Sequence, residues 1–264
     1  MKNKIGVGII TRNREIFFQK CLSSIPQVDE LIVVNDGAKY SSTSYSAEVS
    51  KIIQHRINNG ISLSKNDCFK YLMGKNCKHI FILEDDIRIS DPHIFENYIR
   101  AAEVSKIKHF NYGFHGPWNK VNGKISFRKK IDYNENVSLI FNQYLTGAFS
   151  YYQKEVLEKI GLMDIFYRNI LEHVDHTYRI IKAGFHPPFF WFADVFDSAK
   201  MIEELDEDLQ NSILRKNKNL FDIKVRLFNK YFKFKFGTIP GQVNHTSEKD
   251  FMRILKKDFN LREK

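Results

Sequence analysis

Three short apolar runs in this chain stop abruptly at clusters of polar side chains, and this pattern narrows the possible folds more than any other feature. Ile5–Ile10 ends at Thr11-Arg12-Asn13-Arg14, Leu31–Val34 at Asn35-Asp36-Gly37, and Ile80–Leu83 at Glu84-Asp85-Asp86. Apolar runs this short, bounded by polar residues, read as interior strands. Between them lie segments with apolar residues at helical spacing. Residues 14–24 carry Ile16, Phe17 and Cys21, and residues 61–73 carry Ile61, Leu63, Cys68, Phe69 and Leu72. Further helices are expected after the Ser/Thr-rich stretch 41–46 and over 92–104, where Pro92 suits a first turn. Strands alternating with helices imply an α/β fold, an open and mostly parallel sheet flanked by helices. Ligands of such sheets sit at the carboxyl ends of the strands, where all three polar clusters fall.

Carboxylates at the end of an interior strand cost several kcal/mol each to bury unpaired. They need water or a cation, and hard oxygen ligands suit Mg²⁺ or Mn²⁺. Taken alone, Glu84-Asp85-Asp86 fits a solvated strand-to-loop turn as well as a metal site. The convergence of three polar strand ends on one crevice favours a site. After residue 110 the strands are shorter and aromatic (110–114, 125–127, 139–141 and 148–152), as in the less regular second half of one α/β unit. From about residue 200, the acidic stretch Glu203-Glu204-Leu205-Asp206-Glu207-Asp208 is expected to open a helical tail.

The net charge of +10 is concentrated. Residues 215–236 hold eight Lys/Arg and one Asp, hence +7, and the remainder is near neutral. A local basic segment does not make a nucleic-acid-binding surface, and no nucleic-acid partner is expected. Phe221, Val225, Phe228 and Phe232 form one helical stripe there, ringed by Lys224, Arg226, Lys230, Lys233 and Lys235. Such a helix either packs its stripe on the domain or lies on an anionic membrane. Three scattered cysteines (Cys21, Cys68 and Cys77) fit buried hydrophobes in a reducing compartment. No segment approaches the roughly 20 apolar residues of a membrane span. Arg12, Arg14 and Glu15 cut short any export core, so a cytoplasmic setting is expected.

Read in order, further motifs join these clusters. They are Gly8-Ile9-Ile10-Thr11-Arg12-Asn13-Arg14, Val33-Val34-Asn35-Asp36-Gly37, and Asn58-Asn59-Gly60 followed by Ser64-Lys65-Asn66. Leu83-Glu84-Asp85-Asp86, Thr146-Gly147-Ala148-Phe149, Ile160-Gly161-Leu162-Met163-Asp164 and Glu172-His173-Val174-Asp175-His176-Thr177-Tyr178-Arg179 come next. Their succession resembles the GT-A-fold glycosyltransferases, specifically the family-2-like bacterial enzymes, over nearly the whole chain. No one motif is specific; the order and spacing carry the resemblance.

The resemblance implies a GT-A (Rossmann-like) catalytic domain over 1–200 and a helical, basic C-terminal extension over 201–264. It implies a metal-dependent, inverting transfer from a nucleotide-sugar donor, a UDP-sugar above all. The acceptor would be a saccharide or lipid-linked, in bacterial surface polysaccharide synthesis; the basic segment 215–236 itself, and not the resemblance, raises the expectation of peripheral membrane contact, against packing on the domain. Thr11 and Arg14 would line the nucleobase pocket, and Asp36 would accept from the uracil or ribose. Asn59 and Lys65 would join the donor site. Glu84 or Asp85 would support the ribose or the metal's waters, and Asp86 would ligate Mn²⁺ or Mg²⁺. His245, after the loop 236–241, would be a second metal ligand, against the plainer reading of a surface histidine. His115, Trp118 and Gly147 would face the acceptor, although a packed tryptophan explains Trp118 as well.

The segment 172–179 matches the catalytic helix of these enzymes, and helical spacing puts Glu172, Asp175, His176 and Arg179 on one face. The position of the family's catalytic Asp is occupied by His173. An imidazole can act as base near neutral pH, with Glu172 and Asp175 as rivals. The bland alternative is a solvated face with a local Asp175–Arg179 pair. Two other functions fit the sequence less well. A sugar-phosphate nucleotidyltransferase would need a Gly-rich phosphate loop after the first strand, and residues 11–14 contain no glycine. A non-enzymatic basic membrane- or nucleic-acid-binding protein would leave acids at three strand ends unexplained.

Overall fold

The three apolar runs form neighbouring strands of one sheet. β1 (Ile5–Thr11) pairs in parallel with β2 (Glu30–Asn35) on one side and with β4 (His79–Glu84) on the other. The register sets Thr11 beside Asn35 and Ile10 beside Glu84, so the three polar clusters leave the sheet at one edge. The computed structural model behind this description covers residues 3–46, 48–205 and 218–262. β3 (Lys51–Gln54) extends the sheet in parallel beyond β2. On the far side of β4, β11 (Phe149–Gln153) runs antiparallel and β6 (His109–Asn111) pairs antiparallel with it in turn. The strand order is β3-β2-β1-β4-β11-β6. A mostly parallel sheet was expected, and one antiparallel insertion qualifies it.

Side chains alternate across β1. Val7 and Ile9 enter the larger core with Phe18 and Cys21 of α1 (Glu15–Leu22) and Phe95 and Tyr98 of α3 (Ile94–Ser105). On the other face, Ile10, Ile32 and Ile82 meet Cys68, Phe69 and Leu72 of α2 (Ile61–Gly74), and Val156 of α4 (Lys154–Ile160). Gly8 lets α2 come close: a Cβ there would stand 2.7 Å from Cys68 Cβ. Cys21, Cys68 and Cys77 are all buried thiols.

Beside this unit lies a second sheet, β9 (Lys129–Asn134), β10 (Val137–Asn142) and β12 (Phe192–Val195), in the order β12-β10-β9. β7 (Lys120–Val121) and β8 (Lys124–Ile125) form a small hairpin. Two expectations fail. The helix expected after 41–46 is instead a single 3₁₀ turn, Ser42–Ser44, followed by β3, because Ile52 and Ile53 complete a strand beside β2. The acidic stretch from 203 does not begin as a helix. After the short α6 (Ser198–Met201), β13 (Ile202–Glu204) pairs with β5 (Ile87–Ile89), and residues 206–208 lie outside the described residues.

The C-terminal segment is packed on the α/β unit. In α7 (Lys218–Phe236), Phe228 and Phe232 are buried against Tyr167, Val174, Phe189 and Phe192, with Phe221 and Val225 beside them. The aromatic stripe of the basic segment is therefore an internal contact; residues 215–217 lie outside the described residues. In α8 (Glu248–Asp258), Phe251 stacks on Trp191 with ring centroids 4.0 Å apart.

A charged latch ties α7 to α5 (Glu172–Lys182). Lys235 Nζ donates to Asp164 Oδ2 at 2.9 Å and pairs with Asp175 Oδ1. Arg179 Nε donates to Asp175 Oδ2 at 3.0 Å, while its terminal nitrogens donate to the carbonyls of Ile160 and Leu162, each at 2.8 Å. Asp175 is fully buried. The sequence offers Asp175 as a rival base; in the structure its two oxygens pair with Arg179 and Lys235. Removing one member of a buried ion network leaves the others uncompensated, so Asp175→Ala should destabilise the fold by about 3 kcal/mol. Denaturant unfolding checks this. Unchanged stability together with abolished catalysis would return Asp175 to a chemical role.

Candidate active site

The polar edge of the sheet holds three acids in three environments. Glu84 Oε1 accepts from Lys65 Nζ at 2.8 Å. The Lys65 side chain is only 1% exposed; it also donates to the Gly147 carbonyl at 2.9 Å and stands 3.8 Å from Glu172 Oε1. Burial alone would lower its pKa, but the charges of Glu84 and Glu172 outweigh burial and hold it above the ordinary lysine range. Asp85 accepts from Thr11 Oγ1 at 2.6 Å and pairs with Arg14. Burial pushes the Asp85 carboxyl up to about 7, with Arg14 opposing and Asp86 adding to the rise. Asp86 Oδ2 lies 3.2 Å from both terminal nitrogens of Arg14. Its Oδ1 is buried with no hydrogen-bond partner, and His115 Nε2 stands 3.5 Å away.

Tyr40 organises the first loop. Its hydroxyl oxygen accepts from the Arg14 backbone N–H at 2.9 Å and lies 2.8 Å from Thr11 Oγ1. Since Thr11 gives its one proton to Asp85, Tyr40 donates to Thr11. Asp36 accepts from the backbone N–H of Asn59 (2.7 Å) and of Gly60 (2.8 Å), and bonds His55 Nδ1 at 2.7 Å. These bonds set the turn that leads Asn59 into α2, with Gly60 at φ 93°. The sequence points to Asp36 as a nucleotide contact; in this structure two of its side-chain bonds go to that turn and one to His55.

Helix α5 begins after Leu171 in the left-handed region, φ 65°. Glu172 is 2% exposed. Its Oε1 lies 3.0 Å from His173 Nδ1, and its Oε2 is buried without a hydrogen-bond partner. Burial would raise its pKa, but His173 and Lys65 overcome that and bring it down to about 2. Gly147 fits between them: a Cβ there would stand 3.3 Å from His173 Cγ and from Lys65 Nζ. Glu84, Lys65, Glu172 and His173 thus form one continuous polar chain from the strand edge to the helix start. By contrast, His176 is buried, bonded to the Gly161 carbonyl at 3.1 Å, and burial lowers its pKa to about 3.

The loop carrying His115 is held from beneath. Gly113 N–H donates to buried Asp194 at 2.9 Å, and Gly116 N–H donates to Glu204 Oε1 at 3.2 Å. Trp118 and Tyr144 stand beside it, 45% and 44% exposed, with ring centroids 5.1 Å apart. His245 is not joined to the acids by any ion pair among the described residues; its ring stacks on Phe190 with centroids 4.1 Å apart. The histidine beside Asp86 is His115, which the sequence had assigned to the acceptor side.

Among the described residues, no group of three or more His, Cys, Asp or Glu side chains is arranged to hold a metal ion. Asp86, with its unpartnered Oδ1, and His115 offer two ligands. Two suffice for an ion that completes its shell with substrate phosphates and water.

No family model matches the chain. It is similar to an uncharacterized glycosyltransferase of Acanthamoeba polyphaga mimivirus, 29% identical over 174 residues, covering 61% of this chain and 62% of that protein. The chain thus spans less than two thirds of that relative's length. Among solved structures it is similar to the mannosyltransferase PcManGT from Pyrobaculum calidifontis in complex with GDP-Man and Mn²⁺, at 10% identity, 96% and 68% coverage and a TM-score of 0.54. It is also similar to S. aureus TarS in complex with UDP-GlcNAc, at 14% identity, 96% and 71% coverage and a TM-score of 0.51. These likenesses establish the fold as that of the GT-A glycosyltransferases.

The depressed Glu172 pKa has a consequence for stability. A carboxylate held at about 2 in the fold, against an ordinary 4.5, contributes stability above about pH 4.5 and loses it as pH falls toward 2. Wild type should therefore be more stable than Glu172→Gln above about pH 4.5, with the gap closing on acidification. Denaturant unfolding across that range tests it. A gap that stays constant with pH would mean that the charge of Glu172 is not what the fold uses.

Proposed function

We propose that this chain is a glycosyltransferase that moves a sugar from a nucleotide donor, a UDP-sugar, to a saccharide or lipid-linked acceptor. The observation that carries the reading is the Glu84–Lys65–Glu172–His173 chain. It links acids suited to a metal and diphosphate with a carboxylate–imidazole pair suited to proton removal. The similar proteins bound to UDP-GlcNAc and GDP-Man support a nucleotide-sugar donor.

On the donor side, Asp86 and His115 would hold Mn²⁺ or Mg²⁺. When bound, such an ion would neutralise the charge of the departing diphosphate. Arg14 braces Asp85 and Asp86 and adds positive charge to the same crevice. Thr11 and the Asp36-held turn at Asn59 would border the nucleobase and ribose. On the acceptor side, ionised Glu172 accepts from His173 Nδ1–H, which leaves the Nε2 lone pair to take the proton of the acceptor hydroxyl. Lys65 keeps Glu172 charged and in place. Direct attack by that hydroxyl would invert the anomeric centre. The exposed Trp118–Tyr144 pair supports an acceptor sugar stacking nearby. Surface polysaccharide synthesis, at the cytoplasmic face of a membrane that the basic C-terminal segment touches, is the setting this reading favours.

The test is transfer or hydrolysis across a panel of nucleotide sugars with Mn²⁺ present. Asp86→Asn should lose turnover and keep its fold, because the ion's contribution to the transition state is several kcal/mol. Full activity in excess chelator would overturn the metal. His173→Ala should cut turnover by about 10²–10⁴-fold with donor affinity little changed. Were Glu172 the base, activity would persist to lower pH than an imidazole base allows, since His173 and Lys65 hold its pKa below the ordinary carboxylate range. Wild-type turnover in His173→Ala would overturn the assignment of the base.

A further inference from the structure

The aromatic stripe that makes α7 look like a membrane helix in the sequence is used for packing, yet the opposite side of the same helix carries a second apolar stripe. Ile223, Leu227 and Phe234 recur at helical spacing and are 61%, 50% and 86% exposed. Arg226, Lys230 and Lys233 are exposed on the same side. The one acid of the helix, Asp222, is half-buried at the margin of that face, one turn before Arg226. The outer faces of water-facing helices usually mix both signs of charge and lack large apolar groups. This one has four large apolar side chains, Leu220, Ile223, Leu227 and Phe234, the last the most exposed of them, beside three cations and with Asp222 at the margin.

We propose that the outer face of α7 docks on an anionic lipid surface, with Ile223, Leu227 and Phe234 entering the headgroup boundary and Arg226, Lys230 and Lys233 meeting lipid phosphates. The α7 helix spans 19 residues, about 28 Å at the α-helical rise, long enough to lie along a bilayer. No described helix is long and apolar enough to cross a membrane, so the contact is peripheral. The net positive flank, three exposed cations against one half-buried acid, fits anionic headgroups and opposes a second copy of the chain, which would bring like charges together. The buried stripe and the Lys235 latch hold the helix to the catalytic unit while its outer face stays available. This inference stands on the α7 surface and does not depend on the transferase chemistry.

The experiment is flotation of the full chain with vesicles of phosphatidylcholine alone and of an equal mixture of phosphatidylcholine and phosphatidylglycerol. Binding should appear only with the mixed vesicles and weaken as salt rises. The double change Lys230→Ala and Lys233→Ala should reduce partitioning by roughly tenfold or more. Leu227→Ser with Phe234→Ser should reduce it comparably, with thermal unfolding unchanged because all four side chains are exposed. Equal binding of these variants and wild type, or no binding to either vesicle, would overturn the proposal. Concentration-dependent dimerisation lost in the same variants would assign the face to a second copy instead. Retention by a soluble polyanion such as heparin, with no vesicle binding, would show that charge alone is used and would equally overturn it.

Discussion

The Lys65 ammonium is the interaction on which the rest of the site depends. It is almost fully buried, and an unpaired buried ammonium would cost several kcal/mol. Glu84 at the end of β4, the Gly147 carbonyl before β11 and Glu172 at the start of α5 surround it. Three segments distant in sequence are thereby fixed to one charge. The arrangement begins with packing: Gly8 on β1 lets α2 approach the sheet, and α2 delivers Lys65 on its inner face. Backbone choice, helix position and site electrostatics are links of one chain of causes.

The second cation, Arg14, answers Asp85 and Asp86, so two buried or half-buried cations meet three acids at the strand edge. Asp86 Oδ1 is the buried oxygen that this balance leaves without a hydrogen bond. His115 Nε2 stands 3.5 Å from that oxygen. The same edge therefore carries a fold requirement and a chemical opportunity, and the proposed donor site lies where the two coincide.

Much of the sheet was legible because apolar runs ending in polar clusters have one simple explanation. That these strands share one sheet and one polar edge follows from that pattern, whereas their order β2-β1-β4 does not. What was missed was set by tertiary contact. Lys65 carried a readable signal, since it falls at helical spacing among Ile61, Cys68, Phe69 and Leu72, and a lysine on an apolar face needs a partner. Its partners could not be read, because they come from other segments. The approach of His115 to Asp86 depends on Asp194 and Glu204 holding a loop, and no local spacing encodes that. Asp175 shared a helix face with Glu172 on paper, but Lys235, sixty residues away, captures it. The strand β3 was lost because four residues are too few for a period to register.

The central claim is that this strand edge holds a nucleoside diphosphate together with a divalent ion. Calorimetric titration of UDP into the full chain, with and without Mn²⁺, tests it most directly. Two protein ligands hold an ion weakly by themselves, so the ion and the diphosphate should strengthen each other's binding by the same factor, as linkage requires. The account predicts saturable UDP binding that tightens with Mn²⁺, and Mn²⁺ binding that tightens equally with UDP. Absence of UDP binding under both conditions, or a UDP affinity indifferent to Mn²⁺, would contradict it.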